Sequence, residues 1–261
     1  MDIINAIILG IIQGLTEFLP VSSSGHLEIA KSIMGGDKLA SESMLMTVVL
    51  HAATAFSTII VFRKDIVKIF QGLLEFENNN SFKFSLKIVV SMIPAVLIGL
   101  LFNDHLTKLF EGSLILVGFC LIITGILLLL TDYKHDLSKP LTLKNALFIG
   151  LSQAFAILPG ISRSGATISF SVLLGINKET AAKFSFLMVV PLIIGKMGQD
   201  LLSGNITNNE ENYSSLIIGF LAAFITGILA CKWMIKLVKN SKLKYFAYYC
   251  FLIGVISIIL S

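Results

Sequence analysis

Charged residues are scarce in this chain. Asp, Glu, Lys and Arg make up 14% of the 261 residues, whereas hydrophobic residues make up 55%, and no polar stretch is long enough to build a water-soluble domain. This composition excludes an ordinary soluble globular protein and is typical of a polytopic membrane protein. The net charge is only +4, and because the lysines cluster in loops they indicate membrane topology rather than nucleic-acid binding.

Cysteine is also scarce, and the amino end lacks the features of a signal peptide. The three cysteines, Cys120, Cys231 and Cys250, lie in or beside apolar runs, where we expect small buried side chains rather than a disulfide or a metal site. The amino end carries Asp2 and has no basic n-region, so we expect no cleaved signal peptide.

The chain contains an internal repeat with an offset of 140 residues. Seven of the 21 positions from 5 to 25 are identical to their counterparts, where roughly one or two identities are expected by chance. The shared residues are Asn5, Ala6, Gly10, Gln13, Ser22, Ser24 and Gly25. The copies differ in their ionisable residues, since Glu17, Ser23 and His26 correspond to Ile157, Arg163 and Ala166. The acid and the imidazole are therefore in the first copy and the guanidinium in the second.

Each half begins with an apolar run that is broken near its middle, at 2–34 in the first half and 143–175 in the second. Two half-length helices joined by a Pro/Ser/Gly loop predict a re-entrant hairpin, which enters and leaves the membrane on one side. The other apolar runs predict six transmembrane helices, at about 43–62, 86–102, 114–130, 181–202, 215–231 and 245–260. We predict a single integral-membrane domain over 1–261, with repeat one at about 1–135 and repeat two at about 141–261.

Loop charges predict the orientation of these segments. The basic loops 63–87 and 232–244 belong in the cytoplasm and the acidic loop 203–213 on the outer side, with a short interfacial helix at 64–76. Both termini and the first hairpin then lie on the outer side, whereas the connector 131–142 and the second hairpin lie inside. Because each half has an odd number of crossings, the halves are inverted, and the two broken loops reach mid-membrane from opposite faces and meet. The fold class is thus an all-α polytopic membrane protein with two inverted-topology repeats, six transmembrane helices and two re-entrant helical hairpins.

The first hairpin contains the stretch Gln13–His26 (QGLTEFLPVSSSGH), here called the first motif. Ionisable groups at membrane depth are costly unless they line a site enclosed by protein or water. Glu17 lies one helical turn after Gln13, so both side chains project from one face. The pair either packs the hairpin through a hydrogen bond or reaches a divalent cation or an attacking water.

Hydroxyls and an imidazole follow at the turn into the second half-helix. Ser22, Ser23 and Ser24, with the backbone N–H groups of the turn, suit an anion, although ordinary helix capping explains serines equally well. His26 favours function, because an imidazole there can protonate a leaving group or orient a nucleophile. We assign no such role to His51, a lone histidine that suits packing or support of the site.

The stretch Ser152–Thr167 (SQAFAILPGISRSGAT), here called the second motif, brings Arg163 to the equivalent turn. A permanently charged guanidinium in this setting needs an anionic partner. Glu17 is one candidate, which gives a structural ion pair and no chemistry. We favour a phosphate gripped bidentately by the guanidinium. The hydroxyls around it are those of Ser162, Ser164 and Thr167.

An acid, an imidazole, hydroxyls, an arginine and a cation form a set suited to phosphoryl transfer. A cleft within the bilayer indicates a lipid phosphate as substrate. A transporter or lipid flippase is the rival interpretation, because inverted repeats with broken helices are typical of secondary transporters. The division of Glu17 and His26 in one repeat from Arg163 in the other favours bond cleavage. A lipid-binding protein without turnover is a third, weaker hypothesis.

The two motifs resemble those of the undecaprenyl-diphosphate phosphatase family, also called the bacitracin-resistance family, and the resemblance extends over nearly the whole chain. It implies hydrolysis of undecaprenyl diphosphate to the monophosphate and inorganic phosphate. This reaction recycles the lipid carrier of peptidoglycan synthesis at the bacterial plasma (inner) membrane and confers bacitracin resistance. The family is similar in its inverted repeats, re-entrant hairpins and outward-facing site, and its members often form homodimers.

The resemblance also implies site residues and a cofactor. The implicated residues are Gln13, Glu17, Ser22, Ser23, His26, Ser162, Arg163 and Thr167. A divalent cation, Mg2+ or Ca2+, is expected at Glu17 and Gln13, although Gln13 stands where many members have a glutamate and therefore lacks its charge. The nucleophile is Ser23, His26 or a metal-bound water, and we favour Ser23. The type-2 phosphatidic acid phosphatases share SGH and SR motifs but need a later histidine, which SGATISFSV after Arg163 does not supply.

Overall fold

The computed structural model describes residues 2–34, 37–102, 113–134, 136–202, 213–240 and 243–261, and within these ranges the secondary structure is helical with no strand. The helices are α1 (Ile3–Phe18), α2 (Ser23–Met34), α3 (Asp37–Val61), α4 (Arg63–Leu74), α5 (Asn80–Leu101), α6 (Leu114–Leu130), α7 (Leu143–Phe155), α8 (Arg163–Leu173), α9 (Lys178–Leu202), α10 (Tyr213–Asn240) and α11 (Lys244–Ile259). A 3-10 turn at Thr131–Tyr133 extends α6. The all-helical prediction is confirmed for this part of the chain.

Both apolar runs that begin the two halves are interrupted where the sequence indicates. The first motif separates α1 from α2 at residues 19–22, and the second motif separates α7 from α8 at residues 156–162. The short helix predicted at 64–76 is α4, whose apolar side chains Val67, Phe70 and Leu74 are exposed. The predicted acidic loop 203–213 lies outside the described residues, apart from its last residue.

Four of the six predicted crossings are each matched by one helix of the described residues. Four helices of the described chain are long and apolar enough to cross a membrane: Asn80–Leu101, Leu114–Tyr133, Lys178–Gln199 and Tyr213–Val238. A fifth crossing requires Leu45–Val61 and Arg63–Leu74 to count as one span, although they meet at a bend of 77°. The sixth, α11, has 16 residues and at about 1.5 Å per residue is shorter than the hydrocarbon core. The bend lies where the predicted crossing at 43–62 is followed by the predicted interfacial helix at 64–76, and α11 has the length of the predicted run at 245–260.

Helix α1 shows how this chain distributes its side chains. Its buried face carries Gln13 and Glu17, whereas Ile4, Ile11 and Leu15 on the opposite face are exposed. A helix of a soluble protein has the reverse distribution, with apolar groups inside. An exposed apolar face around a polar interior is what a lipid-facing helix requires, and α5, α6, α10 and α11 also expose large apolar side chains.

The two halves of the chain pack against each other through equivalent helix pairs. The first helix of each half lies along a helix of the other half, α1 on α10 and α7 on α5. Small residues allow the close approach. A Cβ added at Gly10 would lie 2.6 Å from the carbonyl oxygen of Gly219, and one at the equivalent Gly150 would lie 2.3 Å from that of Ser91. The repeat seen in sequence therefore corresponds to equivalent helix contacts.

An aromatic cluster closes one side of the region where the two motifs meet. The ring of Phe18 packs edge-on against Phe186 with centroids 5.6 Å apart, and Phe62 lies 6.2 Å from the same ring. Phe18 and Phe186 are completely buried and are the sequence neighbours of Glu17 and Ser185. This apolar wall lowers the local dielectric and strengthens the polar contacts beside it.

Candidate active site

The two motif turns have the same capping arrangement. Ser22 Oγ accepts a hydrogen bond from the backbone N–H of Gly25 at 3.2 Å, and Ser162 Oγ accepts one from Gly165 at 3.0 Å. Both serines are almost fully buried. Their hydroxyls therefore serve as helix caps in this structure, which is the alternative weighed against anion binding. Ser22 also has a φ of 71°, a left-handed conformation that non-glycine residues adopt at a cost and that is concentrated at functional sites.

The two motifs meet through Glu17 and Arg163. Glu17 Oε1 lies 2.5 Å from Nη2 of Arg163, and the two side chains are only 8% and 14% exposed. A second contact joins the same turns, since the hydroxyl of Ser164 donates to the carbonyl of Leu19 at 3.2 Å. The prediction that the broken loops meet is borne out by these contacts. Arg163 therefore contacts Glu17, which is the first of the two partners that the sequence suggests.

The second oxygen of Glu17 receives two further hydrogen bonds. Ser23 Oγ donates to Oε2 at 2.7 Å and Gln13 Nε2 donates to it at 3.1 Å. The carboxylate is thus held by a guanidinium, a hydroxyl and an amide. Ser23 and Arg163 are the first residues of α2 and α8, so two of the side chains that hold the carboxylate come from helix N-termini.

Arg163 and Thr167 are both tied to Ser185 of α9. Arg163 Nη1 donates to the carbonyl of Ser185 at 3.1 Å, and the hydroxyls of Thr167 and Ser185 lie 2.7 Å apart. Thr167 also donates to the carbonyl of Arg163 at 2.8 Å and is fully buried. Thr167 therefore bridges α8 and α9. Sequence reasoning missed Ser185, whose only signal is a serine in an apolar run.

His26 lies at the same turn but has different partners. Its Nδ1 is 2.8 Å from the carbonyl oxygen of Ser22, and its Nε2 is 2.8 Å from the hydroxyl of Tyr249 on α11. Neither ring nitrogen contacts Ser23 or Glu17. Tyr249 was not found from the sequence, because it is one of several aromatics in an apolar helix and lies 223 residues from His26.

Three further ionisable side chains, on α2 and α3, have partners of their own. Glu28 and Lys31 form an ion pair with each other on α2, at 3.1 Å. His51 binds the carbonyl of Thr47 through Nδ1 at 2.8 Å, which agrees with a packing role.

The residues that would hold a cation are few. No group of three His, Cys, Asp or Glu side chains suited to a metal ion occurs in the part of the chain that the structure describes. Glu17 is accompanied there by Gln13, whose Oε1 is buried without a hydrogen-bond partner, and by the hydroxyl of Ser23. An all-oxygen set suits Mg2+ or Ca2+ rather than Zn2+. The orphaned oxygen of Gln13 is the observation that fits a cation.

This arrangement has two chemical capabilities. A serine hydroxyl that donates to a buried carboxylate is an activated nucleophile, because the carboxylate can accept its proton. A guanidinium that shares the same carboxylate can bind a phosphate, since it presents a planar fork of N–H donors. Only two of those N–H groups donate to other described residues. A hydroxyl, a carboxylate and a guanidinium that could serve as nucleophile, base and phosphate ligand are thus within one hydrogen-bonded network.

The chain was compared with known proteins. The family model for "Bacitracin resistance protein BacA" matches residues 6–256. A protein of Christiangramia forsetii named undecaprenyl-diphosphatase is 60% identical over 259 residues, which cover 99% of this chain and 98% of the relative. Proteins with the same name from Bacteroides fragilis and Methanobrevibacter smithii are 46% and 40% identical to this chain. The matches cover 100% and 98% of this chain and 99% and 96% of the two relatives. These similarities extend over essentially the whole chain.

Proposed function

Because this chain belongs to the bacitracin resistance protein BacA family, we propose that it hydrolyses undecaprenyl diphosphate to undecaprenyl phosphate and inorganic phosphate. Relatives that match it along their whole length are named for this activity. The observation in the structure that carries the proposal is the network of Ser23, Glu17 and Arg163, in which a hydroxyl and a guanidinium share one buried carboxylate. The site also lies in a chain whose exposed helix faces are apolar, as a lipid substrate requires.

Substrate binding begins with an exchange at Arg163. The terminal phosphate takes over N–H donors of the guanidinium that now face Glu17, and the N-termini of α2 and α8 add favourable backbone dipoles. Ser24, which is partly exposed, and Ser164 supply hydroxyls beside it. The Glu17 carboxylate marks where negative charge is stabilised in this fold. A phosphate oxygen that approaches Arg163 therefore enters a site already suited to an anion.

The chemical step assigned to the network is attack by Ser23 on the terminal phosphorus. Glu17 accepts the proton of the Ser23 hydroxyl, the bond to the bridging oxygen breaks, and undecaprenyl phosphate leaves. Water then hydrolyses the phosphoserine and releases inorganic phosphate. The short contact between Ser23 and Glu17, at 2.7 Å, supports Glu17 as the base. His26 has no contact with Ser23, which supports a separate role for it as the acid toward the leaving group.

A divalent cation, Mg2+ or Ca2+, is part of this proposal. Glu17 and Oε1 of Gln13 would hold it, and when bound it would neutralise charge on the phosphate oxygens. The buried, unpartnered oxygen of Gln13 supports the assignment. Arg163 competes for the same carboxylate, so we expect weaker cation binding than at a site with two carboxylates.

We further propose the membrane arrangement predicted from the sequence. The chain is a single domain of two inverted repeats with two re-entrant hairpins, with both termini and the site on the outer side of the bacterial plasma (inner) membrane, where it serves peptidoglycan synthesis and bacitracin resistance. The exchanged pairing of α1 with α10 and of α7 with α5 supports two related halves. We also propose a homodimer, as the resemblance to the family implies.

The transporter or flippase interpretation is less well supported. A transporter needs no activated nucleophile, whereas Ser23 donates to a buried carboxylate. The relatives' names also describe a hydrolase. A purified enzyme in detergent separates the two ideas, because hydrolysis releases phosphate without two membrane sides and transport does not.

The experiment measures phosphate release from undecaprenyl diphosphate by purified protein, beside Ser23→Ala and a matched control, Ser32→Ala. Both serines lie on α2, but Ser32 is exposed and outside the network. We expect Ser32→Ala to retain activity and Ser23→Ala to lose at least about a hundredfold, as expected when a nucleophile or its proton transfer is removed. A wild type that is folded, binds the lipid and releases no phosphate would overturn the proposed function. Full activity of Ser23→Ala would overturn only the assignment of the nucleophile.

A further inference from the structure

We propose that Tyr249 is a positioning residue for the proposed hydrolysis: its hydroxyl holds the His26 imidazole in one tautomer and one orientation at the site. The inference rests on the proposed function, since it assigns a role within that reaction. It starts from one contact, the 2.8 Å hydrogen bond between the Tyr249 hydroxyl and Nε2 of His26. No feature of the sequence linked these two residues.

The tautomer of His26 follows from its other contact. Nδ1 lies 2.8 Å from the carbonyl oxygen of Ser22, and a carbonyl oxygen can only accept a hydrogen bond. Nδ1 must therefore carry the proton. In the neutral ring Nε2 is then an acceptor, and the Tyr249 hydroxyl is the donor to it. In the neutral ring the direction of both hydrogen bonds is thus fixed, and when Nε2 is protonated to act as the acid it donates to the Tyr249 hydroxyl oxygen instead.

The two contacts together fix the orientation of the ring. The planes of His26 and Tyr249 differ by only 6°, with centroids 5.6 Å apart. An imidazole held at both nitrogens cannot rotate without breaking a hydrogen bond. The same contacts explain why His26 does not bind Ser23 in this structure. Tyr249 thus keeps Nε2 directed away from the nucleophile.

The position of Tyr249 is itself well defined. Its neighbour Cys250 points its sulfur at the carbonyl oxygen of Pro20, at 3.7 Å, so α11 contacts the first-motif turn at two adjacent residues. Helix α11 is anchored in turn on α6, where a Cβ at Gly254 would lie 2.8 Å from the carbonyl oxygen of Gly118. The phenol is therefore carried by a rigid element of the second half to an imidazole of the first.

A tyrosine next in sequence supplies the matched control. Tyr248 is 54% exposed and Tyr249 is 40% exposed, and both lie on α11. Within the described residues, Tyr248 makes no hydrogen bond, whereas Tyr249 binds His26. A Tyr→Phe substitution removes the same phenolic hydroxyl at either position. Only at Tyr249 does it remove a contact with the site.

The test is a double-mutant cycle in the phosphate-release assay, with Tyr249→Phe, Tyr248→Phe, His26→Ala and the combination of Tyr249→Phe with His26→Ala. We expect Tyr249→Phe to lower kcat about five- to tenfold with little change in KM, the range given by the loss of one hydrogen bond. Tyr248→Phe should retain wild-type kcat. In the His26→Ala background, Tyr249→Phe should have no further effect, because its role is exercised through the imidazole.

Unchanged kcat in Tyr249→Phe would overturn the proposal, and so would an equal loss with and without His26, which is the result expected of a merely structural residue. The nitrogen-15 NMR spectrum of labelled protein in detergent provides a second readout. We expect the Nδ1–H tautomer for His26 in the wild type and a shift toward a mixture in Tyr249→Phe. An Nε2–H tautomer in the wild type would contradict the inference. A wild type without phosphatase activity would instead contradict the proposed function, and the NMR result would stand independently.

Discussion

The ion pair of Glu17 and Arg163 provides the sharpest test of how this site is held together. Replacing Glu17 by Gln changes one oxygen to an NH2 group and removes the charge. In one amide orientation the NH2 group faces the donors of Ser23 and Gln13, and in the other it faces the guanidinium. In the first orientation the Ser23 hydroxyl and the Gln13 amide can turn an oxygen toward the NH2 group, whereas the second orientation places donor against donor. In both, a guanidinium that is only 14% exposed is left without its anion.

Burial determines the expected magnitude. Breaking a buried ion pair by removing one partner costs about 3–5 kcal/mol, whereas an exposed pair contributes about 1 kcal/mol or less. The chain offers a control at the same distance. Lys183 Nζ and Asp65 Oδ1 also lie 2.5 Å apart, but these side chains are 41% and 37% exposed. If distance alone mattered, the two pairs would be equivalent.

The assay is equilibrium unfolding in detergent for Glu17→Gln, Arg163→Met and the double variant, beside Asp65→Asn, Lys183→Met and their combination. We expect each single change at the buried pair to lower the free energy of unfolding by about 3–5 kcal/mol. The double variant should lose much less than the sum, because no unpaired charge remains buried. The exposed pair should show changes of about 1 kcal/mol or less. Additive losses at Glu17 and Arg163, or equal losses at the two pairs, would refute this reasoning.

Three other perturbations have defined outcomes. Gly150→Val should impair folding and lower yield and thermal stability, because its Cβ would lie 2.3 Å from a backbone carbonyl. The control is Gly99→Val, where nothing lies within 4 Å of an added Cβ. Wild-type stability of Gly150→Val would contradict the close packing of α7 on α5. Gln13→Glu should tighten divalent-cation binding measured by calorimetry, because it adds a second carboxylate beside Glu17, and unchanged affinity would argue against a cation there. Ser185→Ala should leave kcat within about threefold of wild type, since the carbonyl that binds Arg163 is retained; a larger loss would mean that the hydroxyl contact with Thr167 is needed.

The meeting of the two motifs could be predicted from the sequence because the repeat is visible in it. The offset of 140 residues placed Ser23 opposite Arg163, and the structure gives both residues the same position at the start of a helix and the same partner, Glu17. The caps on Ser22 and Ser162 follow from the same equivalence. Identity between the two copies of a repeat therefore predicts that their backbones have the same local geometry.

Other features were beyond sequence reasoning for physical reasons. Tyr249 and Ser185 lie on apolar helices far in sequence from the residues they bind, and an isolated hydroxyl there gives no periodic signal. The sequence suggests both Glu17 and a phosphate as partners of Arg163, and only the structure shows that the Glu17 carboxylate reaches the guanidinium.

The measurement that most directly tests the central claim compares the two arginines of the chain. Arg163→Lys keeps the positive charge but loses the planar fork that binds a phosphate and Glu17 together, and Arg63→Lys makes the same change at an exposed position of α4. In the phosphate-release assay with undecaprenyl diphosphate in detergent, we predict near wild-type activity for Arg63→Lys and a loss of at least about a hundredfold for Arg163→Lys. Equal activities of the two variants would contradict the account, because the guanidinium at the meeting of the two motifs would then have no part in the reaction.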